Sequence, residues 1–283
     1  MFDRKKPVTT AELRKMKKEG RKIAMITAYD YPSAMLAEQA GADVILVGDS
    51  LGMVVLGYDS TIPVTLSDML HHTKAVTRAV KHSFVVVDMP FLTYHGQVEH
   101  TLQNAGRLMQ EGFAKAVKME GGAEIADAVE ACVRAGIPVM GHIGLTPQSV
   151  HQLGGYKVQG KRPEQAKKLL DDAKRLEQAG VFSIVLELVP EEAAEQITEA
   201  VSVPTIGIGA GRYCDGQVLV FHDMLQYAGP NTKKMVKAYA NLHQHIARGI
   251  ADYVREVKSG TFPGEDNVFH ADEAVPADAR TYS

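Results

Sequence analysis

Cys132 and Cys214 are the only cysteines in 283 residues. Two thiols cannot build the disulfide framework of a small secreted domain, and a reducing compartment is the simpler setting. The positive excess that marks a nucleic-acid-binding surface is also missing, because 31 Lys and Arg face 34 Asp and Glu, for a formal net charge of −3. No apolar run approaches the ~18 residues of a membrane span, and the opening MFDRKKPVTT lacks the apolar centre of a signal peptide. These absences predict a cytoplasmic protein with neither nucleic acid nor membrane as partner. What is there is ordinary for a globular chain, 45% apolar and 23% charged. The length suits one large α/β domain or two small ones.

The most informative stretch is DVILVGDSLG, Asp43 to Gly52. Val44–Val47 is a short unbroken apolar run, the pattern of a strand buried on both faces of a parallel sheet. Gly48 ends it, and Asp49 and Ser50 follow at once. A carboxylate at the end of a buried strand calls for a partner. The chain then repeats this design. Apolar runs at 23–28, 44–47, 84–87, 114–117, 138–140, 182–186, 204–208 and 217–221 alternate with helical segments. Ahead of them, residues 9–20 read as an amphipathic helix whose Lys and Arg side chains form a solvated face. A closing helical region is expected over 232–258 and a poorly ordered tail from about 264. Eight such units predict a single (β/α)8 TIM barrel spanning residues 1–283. A doubly wound open sheet also alternates, but its first βα turn carries a phosphate fingerprint, and AYDYPSA has none.

In a barrel the C-terminal strand ends share one mouth. Read in order, they offer Asp30, Asp49 with Ser50, Asp88, Lys118 with Glu120, His142, Glu187, the turn Gly209–Gly211, and His222 with Asp223. Any one of these has a bland reading as a helix cap or surface acid; the set does not. Carboxylates crowded together repel unless a cation lies between them or some stay protonated. Asp49, Asp88 and Glu120 come from neighbouring strands, and an oxygen donor set favours a hard cation such as Mg²⁺. Glu187 stands apart after VFSIVL, across the barrel from the three acids, where desolvation raises its proton affinity and suits it as a general base. Lys118, on the strand face of Glu120, can hold an anionic group. A cation and a lysine on one side with a base on the other is the layout for removing a proton next to a carbonyl, the metal holding the enolate. The residues alone thus suggest enolate chemistry on a small 2-oxo acid. Two readings of His142 stand open: contact with substrate, or a hydrogen bond to a neighbouring carboxylate. For the glycines of GIGAG, close approach of backbone to a ligand is expected.

The segments MITAYDYPSA, VGDSLGMVVLGYDSTIPVTL, VVVDMPFLTY, AVKMEGG, MGHIGLTPQSVHQLGGYKVQG, LELVP and TIGIGAG resemble the 3-methyl-2-oxobutanoate (ketopantoate) hydroxymethyltransferase family. The resemblance runs from about residue 10 to 263. It implies a barrel of the phosphoenolpyruvate/isocitrate-lyase type. It also implies one-carbon transfer from 5,10-methylenetetrahydrofolate to 3-methyl-2-oxobutanoate, giving 2-dehydropantoate and tetrahydrofolate on the route to pantothenate and coenzyme A. On matching positions it implies Asp49, Asp88 and Glu120 as metal ligands, with Mg²⁺ the usual metal. Asp49, Ser50, Asp88 and Lys118 then bind substrate, and Glu187 is the proton acceptor. The family's usual assembly is a homodecamer. Two other classes stay in view: a lyase or mutase of the related barrels, which would place a cysteine near the site, and a non-catalytic binding barrel.

Overall fold

The computed structural model describes residues 6–230 and 233–272. Among these, eight strands appear in chain order: β1 (Ile23–Thr27), β2 (Val44–Val47), β3 (Phe84–Asp88), β4 (Ala116–Glu120), β5 (Val139–Gly144), β6 (Ser183–Glu187), β7 (Thr205–Ile208) and β8 (Gly216–Leu219). They close into a parallel barrel in which β1 pairs with both β2 and β8. The α-helices among these residues are α1 (Thr10–Lys18), α2 (Tyr31–Gln39), α3 (Leu51–Val54), α4 (Leu66–Ala79), α5 (Val98–Gln110), α6 (Ala126–Arg134), α7 (Val150–Leu153), α8 (Pro163–Ala179), α9 (Glu191–Ala200), α10 (Phe221–Met224) and α11 (Leu242–Ser259). The (β/α)8 expectation is met. No helix among the described residues is long and apolar enough to cross a membrane.

Strands β2, β3 and β4 are buried at every position, as a sheet covered on both faces requires. Alternation then sorts their side chains into two cores. The outward set, including Ile45, Val85, Val117 and Ile184, packs under the helices. The inward set, including Met25, Leu46, Val86, Met140, Val185 and Ile206, fills the barrel. Val8 and, from α1, Leu13 and Met16 join this inner cluster and plug the N-terminal end. Thr9 caps α1 by accepting the Glu12 N–H at 3.2 Å. Its neighbour Lys17 is not on a solvated face. Lys17 Nζ donates to Thr198 O (2.8 Å) and Val203 O (3.0 Å) and pairs with Asp215 Oδ2 at 2.9 Å, tying the plug to the barrel rim. Lys22 Nζ likewise donates to Cys214 O at 2.6 Å.

Three boundaries depart from the sequence reading. β4 and β5 run on to Glu120 and Gly144, past the apolar runs at 114–117 and 138–140, so Lys118, Glu120 and His142 lie within the strands. β8 stops at Leu219, and His222 and Asp223 lie on α10. The closing helix begins only at Leu242, with Thr232 outside the described residues. The expected loose tail falls largely on residues 273–283, also outside them.

Among the described residues, no helix packs over one side of the barrel. α11 buries none of its residues, and Ile246, Ile250, Tyr253 and Val257 are exposed along it at helical spacing. The outer faces of β1 and β8, where a covering helix belongs, instead floor a groove of about 900 Å³ lined by Ala24, Ile26, Ala37, Val218, Leu219 and Met224.

Candidate active site

Alternation also explains how the mouth acquires its charges. Asp88 stands two residues beyond Val86, Lys118 two beyond Ala116, His142 two beyond Met140 and Glu187 two beyond Val185, so all continue the inward-facing rows. Register lines them up: Asp88 lies opposite Lys118, Glu120 opposite His142, and Gly144 opposite Glu187. Asp49 arrives differently, on the turn after β2, where its N–H donates to Asp88 Oδ2 at 3.0 Å.

Lys118 is the hub. Its Nζ lies 2.9 Å from Asp88 Oδ1 and 3.8 Å from Glu120 Oε1, and 3.2 Å from His142 Nδ1. Burial opposes the ammonium charge, but Asp88, Glu120 and Asp49 together hold its proton affinity above the usual value. Burial pushes the Asp49 carboxyl well up, aided by repulsion from Asp88 and Glu120. It raises Asp88 as well, against the pull of Lys118. For Glu120 burial acts in the same direction, but His142 and Lys118 outweigh it and keep the carboxyl below its usual range.

His142 joins the two halves of the mouth. Nδ1 is 3.3 Å from Glu120 Oε1, and Nε2 is 3.4 Å from Glu187 Oε2. Burial and Lys118 both disfavour its charge, yet the two flanking carboxylates hold it at about 9. Glu187 is therefore neither alone nor isolated from the acids, as the sequence had suggested; one imidazole separates it from Glu120. The carboxylate contact expected as one reading of His142 is present, to Glu120 and to Glu187.

Ser50 Oγ lies 2.8 Å from the hydroxyl of buried Tyr29. Three groups unforeseen in the sequence complete the mouth: Tyr29, Tyr94 and Gln148. Gln148, buried in the turn Pro147–Ser149, donates from Nε2 to Asp49 Oδ2 (2.8 Å) and Met89 O (3.0 Å), and from its backbone N–H to Glu120 Oε2 (3.0 Å). Tyr94 donates its hydroxyl to Gln148 Oε1 at 2.7 Å and accepts the Glu120 N–H at 3.1 Å. The only signal for Gln148 was local, a Thr146-Pro147 turn opening after a strand.

Other mouth candidates have local duties. Asp30 caps α2, exchanging hydrogen bonds with Ser33. On α4, away from the strand ends, Asp68 completes the helix cap with Thr65, and His72 Nδ1 sits 2.6 Å from Tyr29 O. Asp223 pairs with Lys233 at 2.8 Å. What approaches Gly209 and Gly211 closely is the protein itself, Met235 against the first and Glu191 against the second. Cys132 and Cys214 are both buried and free; Cys132 packs in the outer core on α6, and Cys214 borders the groove beside β1 and β8.

The donor set at the mouth is all oxygen, apart from His142. Among the described residues no three His, Cys, Asp or Glu side chains gather tightly enough to hold a metal by themselves. That is compatible with Mg²⁺, which takes one or two protein carboxylates and completes its shell with water and substrate. Two features fit such a cation. Asp88 Oδ1 is buried without a directed hydrogen bond, its contact with Lys118 being an ion-pair approach only. And the four carboxylates Asp49, Asp88, Glu120 and Glu187 face two cationic side chains, Lys118 and His142, a deficit of one divalent cation when all are ionised.

With the geometry in hand, the chain can be set beside known proteins. Solved structures share the barrel at low identity. One is the phosphoenolpyruvate phosphomutase of Streptomyces platensis subsp. rosaceus (TM-score 0.59, 16% identical, 92% of each chain covered). Another is 2,3-dimethylmalate lyase, a PEP mutase/isocitrate lyase superfamily member (TM-score 0.56, 17% identical, covering 92% of this chain and 91% of that one). At these identities the likeness is one of fold. Sequence relatives are much nearer. The 3-methyl-2-oxobutanoate hydroxymethyltransferase of Thermoanaerobacter sp. (strain X514) is 62% identical over 262 residues, covering 93% of this chain and 96% of its own. That of Halalkalibacterium halodurans is 57% identical over 267 residues, covering 94% and 96%. The family model for ketopantoate hydroxymethyltransferase matches residues 7–265, and so, by model and relatives alike, the chain belongs to that family of transferases.

Proposed function

We propose that the mouth transfers a one-carbon unit from 5,10-methylenetetrahydrofolate to 3-methyl-2-oxobutanoate, with one water consumed, giving 2-dehydropantoate and tetrahydrofolate. The observation that carries this reading is the row Asp88–Lys118–Glu120–His142–Glu187, which sets a cationic anchor and a carboxylate base in one buried space. Asp49, Asp88 and Glu120 would hold Mg²⁺. A divalent cation there supplies Lewis-acid polarisation of the keto carbonyl.

The remaining steps belong to the side chains. Asp49, Ser50, Asp88 and Lys118 bind the keto acid, the Lys118 ammonium attracting its carboxylate. Tyr29 fixes the Ser50 hydroxyl through the 2.8 Å contact. Water hydrolyses the methylene bridge of the folate, breaking both its C–N bonds to leave tetrahydrofolate and a one-carbon unit at the formaldehyde level. Glu187 takes the proton from C3, and C3 adds to that carbon, whose oxygen picks up a proton to become the product's hydroxyl. Glu187 Oε2 is 3.4 Å from His142 Nε2, a contact that aims the carboxylate into the mouth. A lyase of the related barrels would want a cysteine at this place, and Cys132 and Cys214 are buried elsewhere. The product then feeds pantothenate and coenzyme A formation.

We also infer that the chain works in the cytoplasm as a homo-oligomer, with the decamer as the family's expectation. The bare apolar stripe of α11 and the open groove on β1 and β8 support this, since a helix-sized groove and an unpartnered apolar helix are complementary between copies. The catalytic reading is tested by following consumption of 3-methyl-2-oxobutanoate with and without methylenetetrahydrofolate and EDTA. Turnover should need folate, stop with EDTA and return with Mg²⁺. Turnover that ignores folate or EDTA overturns it.

A further inference from the structure

The long connection after β5, residues 145–160, crosses the mouth and is fastened at both ends to the end of β6, at Glu187 and the residue after it. Leu145 N–H donates to Glu187 O and Gln159 N–H to Leu188 O, each at 2.8 Å. Between these points it bears α7 and Tyr156, whose hydroxyl reaches Met53 Sδ at 3.7 Å on the opposite rim. Its one buried polar anchor to the acids is Gln148, 3% exposed.

The Gln148 amide is fully committed. Both Nε2 protons are donated, to Asp49 Oδ2 and Met89 O, while Oε1 accepts from Tyr94. Turning the amide over would set oxygen against the Asp49 carboxylate and the Met89 carbonyl, so its orientation is determined. Its backbone N–H meanwhile holds Glu120 Oε2. One residue of the connection thus grips one oxygen of each of two acids that reach the mouth from different strands, β2 and β4. If either acid moves, the turn must follow; if the turn lifts, both acids lose a partner.

We propose that Gln148 is a positioning residue that latches the 145–160 connection to Asp49 and Glu120, coupling occupation of the acid cluster to ordering of the strap over the mouth. What occupies the cluster rests on the proposed function; the latch itself does not. Coupling of this kind is reciprocal: whatever binds better to the latched acids also tightens the strap. Partners of this sort, which touch ligands rather than substrate, commonly change metal affinity by about 10–100-fold when removed.

Backbone hydrogen exchange of the full-length protein, with Mg²⁺ calorimetry, tests the latch. In the ligand-free Gln148→Leu variant, amides of residues 149–159 should exchange at least about tenfold faster than in the parent, with β2 and β6 unchanged. Mg²⁺ should slow the strap in the parent and not in the variant, and bind the variant at least about tenfold more weakly. Tyr94→Phe, which removes the hydroxyl that orients the amide and also meets the Glu120 backbone, should fall between the two, and Gln148→Asn serves if the leucine variant does not fold. Strap exchange in ligand-free Gln148→Leu equal to the parent's overturns the proposal. A parent that does not bind Mg²⁺ would instead overturn the metal assignment, leaving the ligand-free comparison to decide the latch.

Discussion

Replacing Lys118 by Met removes the ammonium from between two buried carboxylates while keeping a side chain of similar length. At an effective dielectric of about 20, the contacts at 2.9 Å to Asp88 and 3.8 Å to Glu120 correspond to roughly 6 and 4 kcal/mol of attraction. The desolvation of the lysine, several kcal/mol, offsets part of this, leaving a net loss of about 3–5 kcal/mol. The variant has an escape, which is to protonate Asp88. Taken from the unfolded value of 3.8, that step costs at most about 4 kcal/mol at pH 7 and about 2 at pH 5.5. The loss therefore cannot exceed those limits. The sign follows from linkage: with Lys118 gone, the folded-state proton affinity of Asp88 rises further above its unfolded value. Its contribution to stability is then complete below pH ~3.8 and is lost as pH climbs toward the folded value. Urea unfolding of parent and variant in EDTA, at pH 5.5 and 7, measures this. A gap near 4 kcal/mol at pH 7 that halves at pH 5.5 is expected. A gap below about 1 kcal/mol at pH 7, or one indifferent to pH, would refute the assignment of Lys118 as counter-charge to the acids.

Three further outcomes are expected. Glu187→Gln should slow exchange of the C3 proton of 3-methyl-2-oxobutanoate with deuterated solvent by about 10²–10⁴-fold, read by NMR; full exchange would remove Glu187 as the base. Asp88→Ala should weaken Mg²⁺ binding by at least about tenfold in calorimetry, and unchanged affinity would remove Asp88 from the metal site. Gly144 sits at φ +93°, and a methyl group there would strike the Glu187 carbonyl. Gly144→Ala should thus destabilise the chain by more than about 1 kcal/mol and lower Tm by at least about 2–4 °C.

Much of this was legible in the sequence because barrel strands obey a period of two. Once Val86 and Ala116 face inward, Asp88, Lys118 and Glu120 must follow, and short apolar runs mark where to start counting. Boundaries were less legible: β4 and β5 each carry charge or glycine at the mouth end, so an apolar run stops before the strand does. Gln148 and Tyr94 were invisible for a different reason. Their partners lie 28, 54 and 99 residues away and are chosen by the path of two loops, which no periodicity records. For His142 a carboxylate partner was one of two readings the sequence offered, but not that one ring would reach Glu120 and Glu187 together, which depends on barrel curvature. Lys17 failed in the opposite direction. Its spacing was that of a helix edge, and only the plug's seating against Thr198 and Val203 draws it inside.

That plug governs traffic. With Val8, Leu13, Met16 and the anchored Lys17 packed into one end, the described residues close that end of the barrel, and the acids face the other. A ligand of the acids would then come and go by the mouth, and anything resting over it would have to arrive second and leave first. Initial-rate patterns of ordered addition are the expected consequence, and a compound seated over the acids would hold their ligand in as effectively as it keeps a new one out.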